Sequence, residues 1–302
     1  MRSFAGASSK DVWFGVAAIL TAVISWRPLV ELFGRALNHE QYSHTLLVLP
    51  IVLTLTVIER EASISSAFLD WVVGGLLVML AGMLSWIAMG NAKTMDTTSH
   101  LSMSILGLVL AWIGLAILFY GTNVYRRHLF LCVFLFFLVP IPDALLAHII
   151  SFLQDASTRV SEILFRLTRI PVSRHGFILS LPTIDIEVAA ECSGIRSTMI
   201  LILVSLTLGH LFLRSAYHQL ILLCSTLFLA ILKNAVRIFT LAVLAIYVDP
   251  SWLQGEFHHR YGGSIFFASA LLLVFGLLKL LVRLEHARSV LTDRKPEHAA
   301  VS

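Results

Sequence analysis

Apolar residues dominate long stretches of the chain, near residues 12–33, 43–58, 71–90, 101–120, 128–141, 193–213, 218–248 and 264–284. A membrane-crossing helix needs roughly 20 mostly apolar residues, so these runs predict about eight transmembrane helices. The second and fifth are short and fit tilted or re-entrant segments. The first follows Arg2 and Lys10 as a signal peptide would, but it is long, lacks a small-x-small cleavage site and precedes many further runs. It therefore reads as an uncleaved anchor.

The pattern changes between residues 140 and 191. After Pro140-Ile141-Pro142, a mixed segment from Ala144 to Arg169 places Leu145, Ile149, Leu153, Val160, Ile163, Leu164 and Leu167 at helical spacing. Gln154, Asp155, Arg159, Glu162 and Arg166 fall between them. This predicts an amphipathic helix lying on the membrane or packed across the bundle. Beyond Pro171 the period shortens to two: Phe177, Leu179 and Leu181, then Ile184, Ile186 and Val188, alternate about Pro182-Thr183. That is a hairpin signal. An open strand edge cannot face lipid, so the pair belongs at the outer surface or under the helices.

Composition agrees with the pattern. The chain is 58% hydrophobic and 13% charged, against about 45–50% and about 25% in soluble domains, and its mean hydropathy is +0.86. Too little polar material remains to wet a surface, which excludes a cytosolic enzyme and a nucleic-acid binder. The net charge of +4 suits cytoplasmic loops beside anionic lipid. Eight spans with a cytoplasmic N-terminus put Arg2, Lys10, Arg60, Arg126, Arg127, Arg214, Arg283, Arg288, Arg294 and Lys295 inside. They leave Arg35, Lys93, Arg159, Arg166, Arg169, Arg174 and Arg260 outside. The bias places both termini in the cytoplasm.

Polar groups within spans are expensive and point to function. Arg27, His210 and Arg214 lie near span ends, where they can snorkel to water. Asn234 and Arg237 are three residues apart deep in the seventh run, on one helix face. Arg237 lies about three turns below the outer end of that span. It must face a cavity, water or a counter-charge, with Glu187 and Glu191 as candidate partners for a purely structural role. Of three cysteines, Cys132 and Cys224 lie in apolar runs and read as small buried hydrophobes, whereas Cys192 sits in Ala190-Glu191-Cys192-Ser193-Gly194. The loop before the last span carries Phe257-His258-His259-Arg260-Tyr261-Gly262-Gly263. On this topology three helices bring a thiol, a guanidinium and an imidazole to one membrane face. That set suffices for acyl transfer: a thiolate favoured by a cation or helix N-terminus, a histidine to move protons, an arginine to stabilise an oxyanion.

Glu191-Cys192-Ser193-Gly194-Ile195-Arg196-Ser197, Asn234-Ala235-Val236-Arg237-Ile238 and His258 with Gly262 together resemble the exosortase/archaeosortase family. Pro140-Ile141-Pro142 and the approach from Ile170-Pro171-Val172 through Arg174-His175-Gly176 to Leu181-Pro182 are similar too. The resemblance is strongest over about 140–270 and extends over about 40–285. It implies a membrane cysteine protease-transpeptidase of the bacterial inner membrane, active at the periplasmic face. Its partners would be exported envelope or exopolysaccharide-associated proteins ending in a sorting signal: a short motif of the Pro-Glu-Pro type, a transmembrane helix and a basic cluster. Cys192 would form an acyl-thioester, Arg237 would act as proton donor or oxyanion stabiliser, and His258 would assist as base or transition-state stabiliser. His259 is an alternative to His258, because it reaches Gly263 at the same spacing. Arg196, Asn234 and Glu191 are supporting candidates. No cofactor, metal or nucleic acid is expected.

The expectation is thus an all-α polytopic membrane protein of about eight transmembrane helices, with an amphipathic helix and short β-hairpin before Cys192. It is expected as a single integral membrane domain over 1–302, with a catalytic core over about 128–285 and a cytoplasmic tail over 286–302. The alternatives are a polytopic transporter or an assembly subunit for exopolysaccharide export, neither of which needs Cys192.

Overall fold

A computed structural model describes residues 9–58, 68–91, 94–121, 129–249, 252 and 263–293. It is helical apart from one small antiparallel sheet. Among the described residues, six helices are long and apolar enough to cross a membrane, or up to eight if two broken pairs each count as one span. The all-α polytopic class and the approximate span number agree with the apolar pattern. The chain forms two compact units, Met1–Leu146 and Ala147–Ser302.

In the first unit the initial apolar run is broken rather than continuous. Helices α1 (Ser9–Ile24) and α2 (Trp26–Asn38) meet at a 76° bend. Pro28 supplies the reason: it lacks an N–H for the Ile24 carbonyl, and its ring clashes with that carbonyl in a continuous helix. Past the bend, Arg35 pairs with Glu31 at 2.9 Å and donates to Thr98 Oγ1 at 2.9 Å. A 3-10 turn (Glu40–Tyr42) leads to α3 (Thr45–Ile58), followed by α4 (Phe68–Gly90) and α5 (Thr97–Tyr120). Asp96 caps α5 by accepting from the Ser99 N–H at 2.8 Å, which holds its carboxyl below the ordinary carboxylate range. Helices α4 and α5 approach through small residues, as membrane helices often do. A Cβ on Gly74 would lie 2.9 Å from the Gly114 carbonyl oxygen. The fifth apolar run yields only α6 (Leu129–Leu135) and a 3-10 turn (Phe136–Leu138).

Helix α7 (Asp143–Leu167) is the segment expected as amphipathic, and its buried face carries small polar side chains. Leu145, Ile163 and Leu167 are exposed, whereas Gln154, Ser157, Thr158 and Ser161 are buried beside Leu153 and Phe165. Lipid accepts the apolar residues, while polar side chains must turn inward to find partners. Asp155 binds Arg159 at 2.9 Å and also Arg174, and Glu162 binds Arg166 at 2.5 Å.

The expected hairpin is present and carries one strand more. Strands β1 (Ser173–His175), β2 (Ile178–Ser180) and β3 (Asp185–Glu187) form a sheet in sequence order. Leu179 pairs with Arg174 on one side and Ile186 on the other. The β1–β2 turn passes through Gly176 at φ +64°, and Arg174 Nε donates to its carbonyl at 2.8 Å. The sheet's apolar face (Leu179, Leu181, Ile186 and Val188) is buried in a cluster with Phe165, Ile238 and Ala242.

Three helices complete this unit: α8 (Ile195–Phe212), α9 (Ala216–Tyr247) and α10 (Gly263–Asp293). Helix α10 continues through residue 286, where the tail was expected to start. Cys132 is buried as expected, but Cys224 is exposed on α9, since a thiol tolerates lipid contact. At the α8–α9 link, Glu285 of α10 accepts from the backbone N–H groups of Arg214 and Ser215 at 3.0 Å each and pairs with His218 at 2.8 Å. Glu285→Ala would leave these groups without that acceptor. A destabilisation of about 1–3 kcal/mol is expected, read as earlier thermal unfolding in detergent, with His218→Ala having the smaller effect.

Candidate active site

The chain reaches Cys192 through a 3-10 turn, Ala190–Ser193, rather than in the first turn of an α-helix. The Cys192 N–H bonds the Ala189 carbonyl at 2.9 Å. Gly194 then turns the corner at φ +75°, a left-handed conformation that glycine adopts without strain, and α8 begins at Ile195. Cys192 is half-buried and packs against the cluster that holds the sheet to α9. It lies just before the N-terminus of α8, where the helix dipole favours negative charge.

Asn234 fixes this turn. It is 1% exposed, and its Nδ2 donates to the Cys192 carbonyl at 2.8 Å and to Ser157 Oγ of α7 at 3.1 Å. Beside it, Ser161 Oγ donates to the Ala235 carbonyl at 3.2 Å, and Gln154 Nε2 to the Val188 carbonyl at 2.8 Å. Asn234 Oδ1 is buried with no hydrogen-bond partner among the described residues. A Cβ on Gly194 would stand 3.2 Å from that oxygen.

Helix lengths explain why Asn234 meets Cys192. Helix α8 runs 18 residues, the chain turns over Leu213–Ser215, and 18 residues along α9 lead to Lys233. The thirteen residues that follow Asn234 carry α9 about 20 Å farther, at 1.5 Å per residue. The Cys192 turn is therefore level with the middle of α9, not with its end. Arg237 is half-buried one helical turn beyond Asn234.

Of the sequence candidates, the structure joins Cys192 directly to Asn234 and places Arg237 on the adjoining turn of α9. Arg196 is exposed in the first turn of α8. His258 and His259 lie outside the described residues, and so does the side chain of Glu191. Sequence reasoning did not single out Ser157, Gln154, Ser197 or Lys233. Lys233 carried an available signal, a cation inside an apolar run; the others look ordinary until their partners are known.

A half-buried thiol just before a helix N-terminus, in a turn tied to α9 one helical turn from Arg237, is suited to nucleophilic attack on a carbonyl. The family model for transmembrane exosortase matches residues 36–276. The chain belongs to the transmembrane exosortase family. Membership implies a multi-pass membrane protein with transpeptidase or protease activity, consistent with the helices described. Neither the curated proteins nor the solved structures return a match. The matched region contains Cys192, Asn234, Arg237 and His258.

The Gly194 corner offers a direct check of the turn. Gly194→Ala forces an L residue into the left-handed region, at about 1–2 kcal/mol, and crowds Asn234. Lower thermal stability and a changed Cys192 alkylation rate are expected together. Wild-type values for both would show that the turn does not depend on this corner.

Proposed function

We propose that this exosortase is a cysteine transpeptidase-protease that cleaves C-terminal sorting signals from exported proteins through a thioester on Cys192. The observation that carries this reading is the hydrogen bond from Asn234 to the Cys192 carbonyl. It ties the backbone of the Cys192 turn to α9 one helical turn before Arg237, just ahead of α8, which supports pairing the two residues in one site. His258 takes the proton of the Cys192 thiol, the thiolate attacks the scissile carbonyl, Arg237 stabilises the resulting oxyanion, and His258 returns the proton to the departing amine. The carbon–nitrogen bond breaks as the carbon–sulfur bond remains; water or an amine acceptor then releases the acyl group.

The substrates in this reading are envelope or exopolysaccharide-associated proteins with a Pro-Glu-Pro-type motif, a transmembrane helix and a basic cluster. Their own helix holds the scissile bond beside the enzyme in the membrane, reducing the search to the membrane plane. The enzyme resides in the bacterial inner membrane with both termini cytoplasmic and Cys192 toward the periplasm. Segment 144–188, comprising α7 and the sheet, forms the wall that reads the motif. The ion pair from Asp155 of α7 to Arg174 of β1 supports this role by joining helix and sheet.

Cys192→Ala should leave precursor uncleaved in cells while the protein still accumulates in the membrane. Arg237→Gln should slow processing by about 10²–10³-fold, the usual effect of removing one oxyanion donor. Immunoblots of a tagged substrate read both outcomes. Normal processing by Cys192→Ala would eliminate the thioester mechanism and favour a transporter or assembly role.

A further inference from the structure

Lys233 is buried in the interior of an apolar helix, 9% exposed, and its ammonium donates to Ser197 Oγ. A lysine in a span is expensive unless it has a polar task. The Ser197 hydroxyl has one proton, which it donates to the Gly194 carbonyl at 3.0 Å. It therefore receives from Lys233, and a directed chain runs from the ammonium to the corner that follows the thiol. Lys233 and Asn234 are consecutive, so neighbouring side chains on α9 grip the same turn at two points: the Cys192 carbonyl directly and the Gly194 carbonyl through Ser197.

Arg237 lies one helical turn from Lys233 on α9, adding a second cation. Helix α7 presents Gln154, Ser157, Thr158 and Ser161 on its buried face, all uncharged, and its Asp155 is engaged by Arg159 and Arg174. Glu187 at the end of β3 and Arg196 at the start of α8 are exposed. His258, His259 and the side chain of Glu191 are outside the described residues.

We propose that Lys233 is a positioning residue for Cys192: through Ser197 its ammonium holds the Gly194 corner and supplies positive potential that favours the thiolate. This inference rests on the reading of Cys192 as nucleophile. It assigns a task to a buried cation that the Cys192, Arg237 and His258 set leaves unused. A neutral isostere should therefore alter the thiol's reactivity with pH, whereas a purely structural lysine would alter stability alone.

The test is the pH dependence of Cys192 alkylation by iodoacetamide in the purified full-length protein in detergent, with the labelled peptide identified by mass spectrometry. Lys233→Met should raise the pH of half-maximal reactivity by about one unit and slow alkylation at neutral pH about tenfold. Lys233→Arg, which keeps the cation, should restore the wild-type midpoint. Ser197→Ala, which cuts the link with little change in bulk, should shift the midpoint in the same direction as Lys233→Met and serves if that variant fails to fold. Wild-type midpoints in Ser197→Ala and in any folded Lys233→Met would overturn the proposal, as would an equal shift in Lys233→Arg. Substrate processing by Cys192→Ala is scored separately: processing that persists there refutes the nucleophile reading, whereas lost processing with unmoved alkylation midpoints refutes only the role of Lys233.

Discussion

The local structure around Cys192 depends on the side-chain amide of Asn234. A bilayer core offers no water to a polar group, so each must find its partner within the protein. Both protons of this amide are used, one on the Cys192 carbonyl and one on Ser157 Oγ. A single residue of α9 thereby ties α7 to the turn before α8. Ser161 and Gln154 reinforce the joint by bonding the backbone of α9 and of the segment leaving the sheet. Four polar side chains of α7 consequently point inward, leaving several of its leucines and isoleucines to lipid.

That joint also sets the depth of the thiol. Because α8 is much shorter than α9, the Cys192 turn meets α9 at mid-length, and the rest of α9 is available to pack the sheet through Ile238 and Ala242. Phe165 of α7 and Phe239 of α9 meet in the same region, with ring centroids 4.9 Å apart. The sheet's apolar face is thus covered by helices, which resolves how strands can exist in a chain so poor in polar residues. Arg174 anchors the first strand to Asp155 of α7, so helix and sheet form one continuous border to the turn.

Much of this architecture is legible in the sequence, and the exceptions have specific causes. The long apolar runs mark their helices because span length follows directly from membrane thickness. The period-two segment about Pro182-Thr183 marks β2 and β3. Strand β1 escapes notice because Ser173-Arg174-His175 has no apolar alternation; it is a strand because β2 pairs with it. The polar side chains of α7 turn inward because Gln154, Ser157 and Ser161 find their partners there, which the spacing of its apolar residues does not report. The first run breaks at Ser25 through the missing N–H of Pro28, a local signal hidden inside a continuous stretch of apolar residues.

For the site, the order of Cys192, Asn234 and Arg237 along the chain, the family resemblance and the membrane class were determined by sequence alone. They are properties of local composition and short motifs. The partners of Asn234 and Lys233, the level of the thiol along α9, and the inward face of α7 were decided only by tertiary structure. The physical reason is sequence distance: Asn234 is 42 residues from Cys192 and 77 from Ser157, and Lys233 is 36 from Ser197. Hydrophobic periodicity reports how a segment meets its surroundings over a few turns. Hydrogen bonds across such separations exist only after the helices have packed, when every buried donor must find an acceptor.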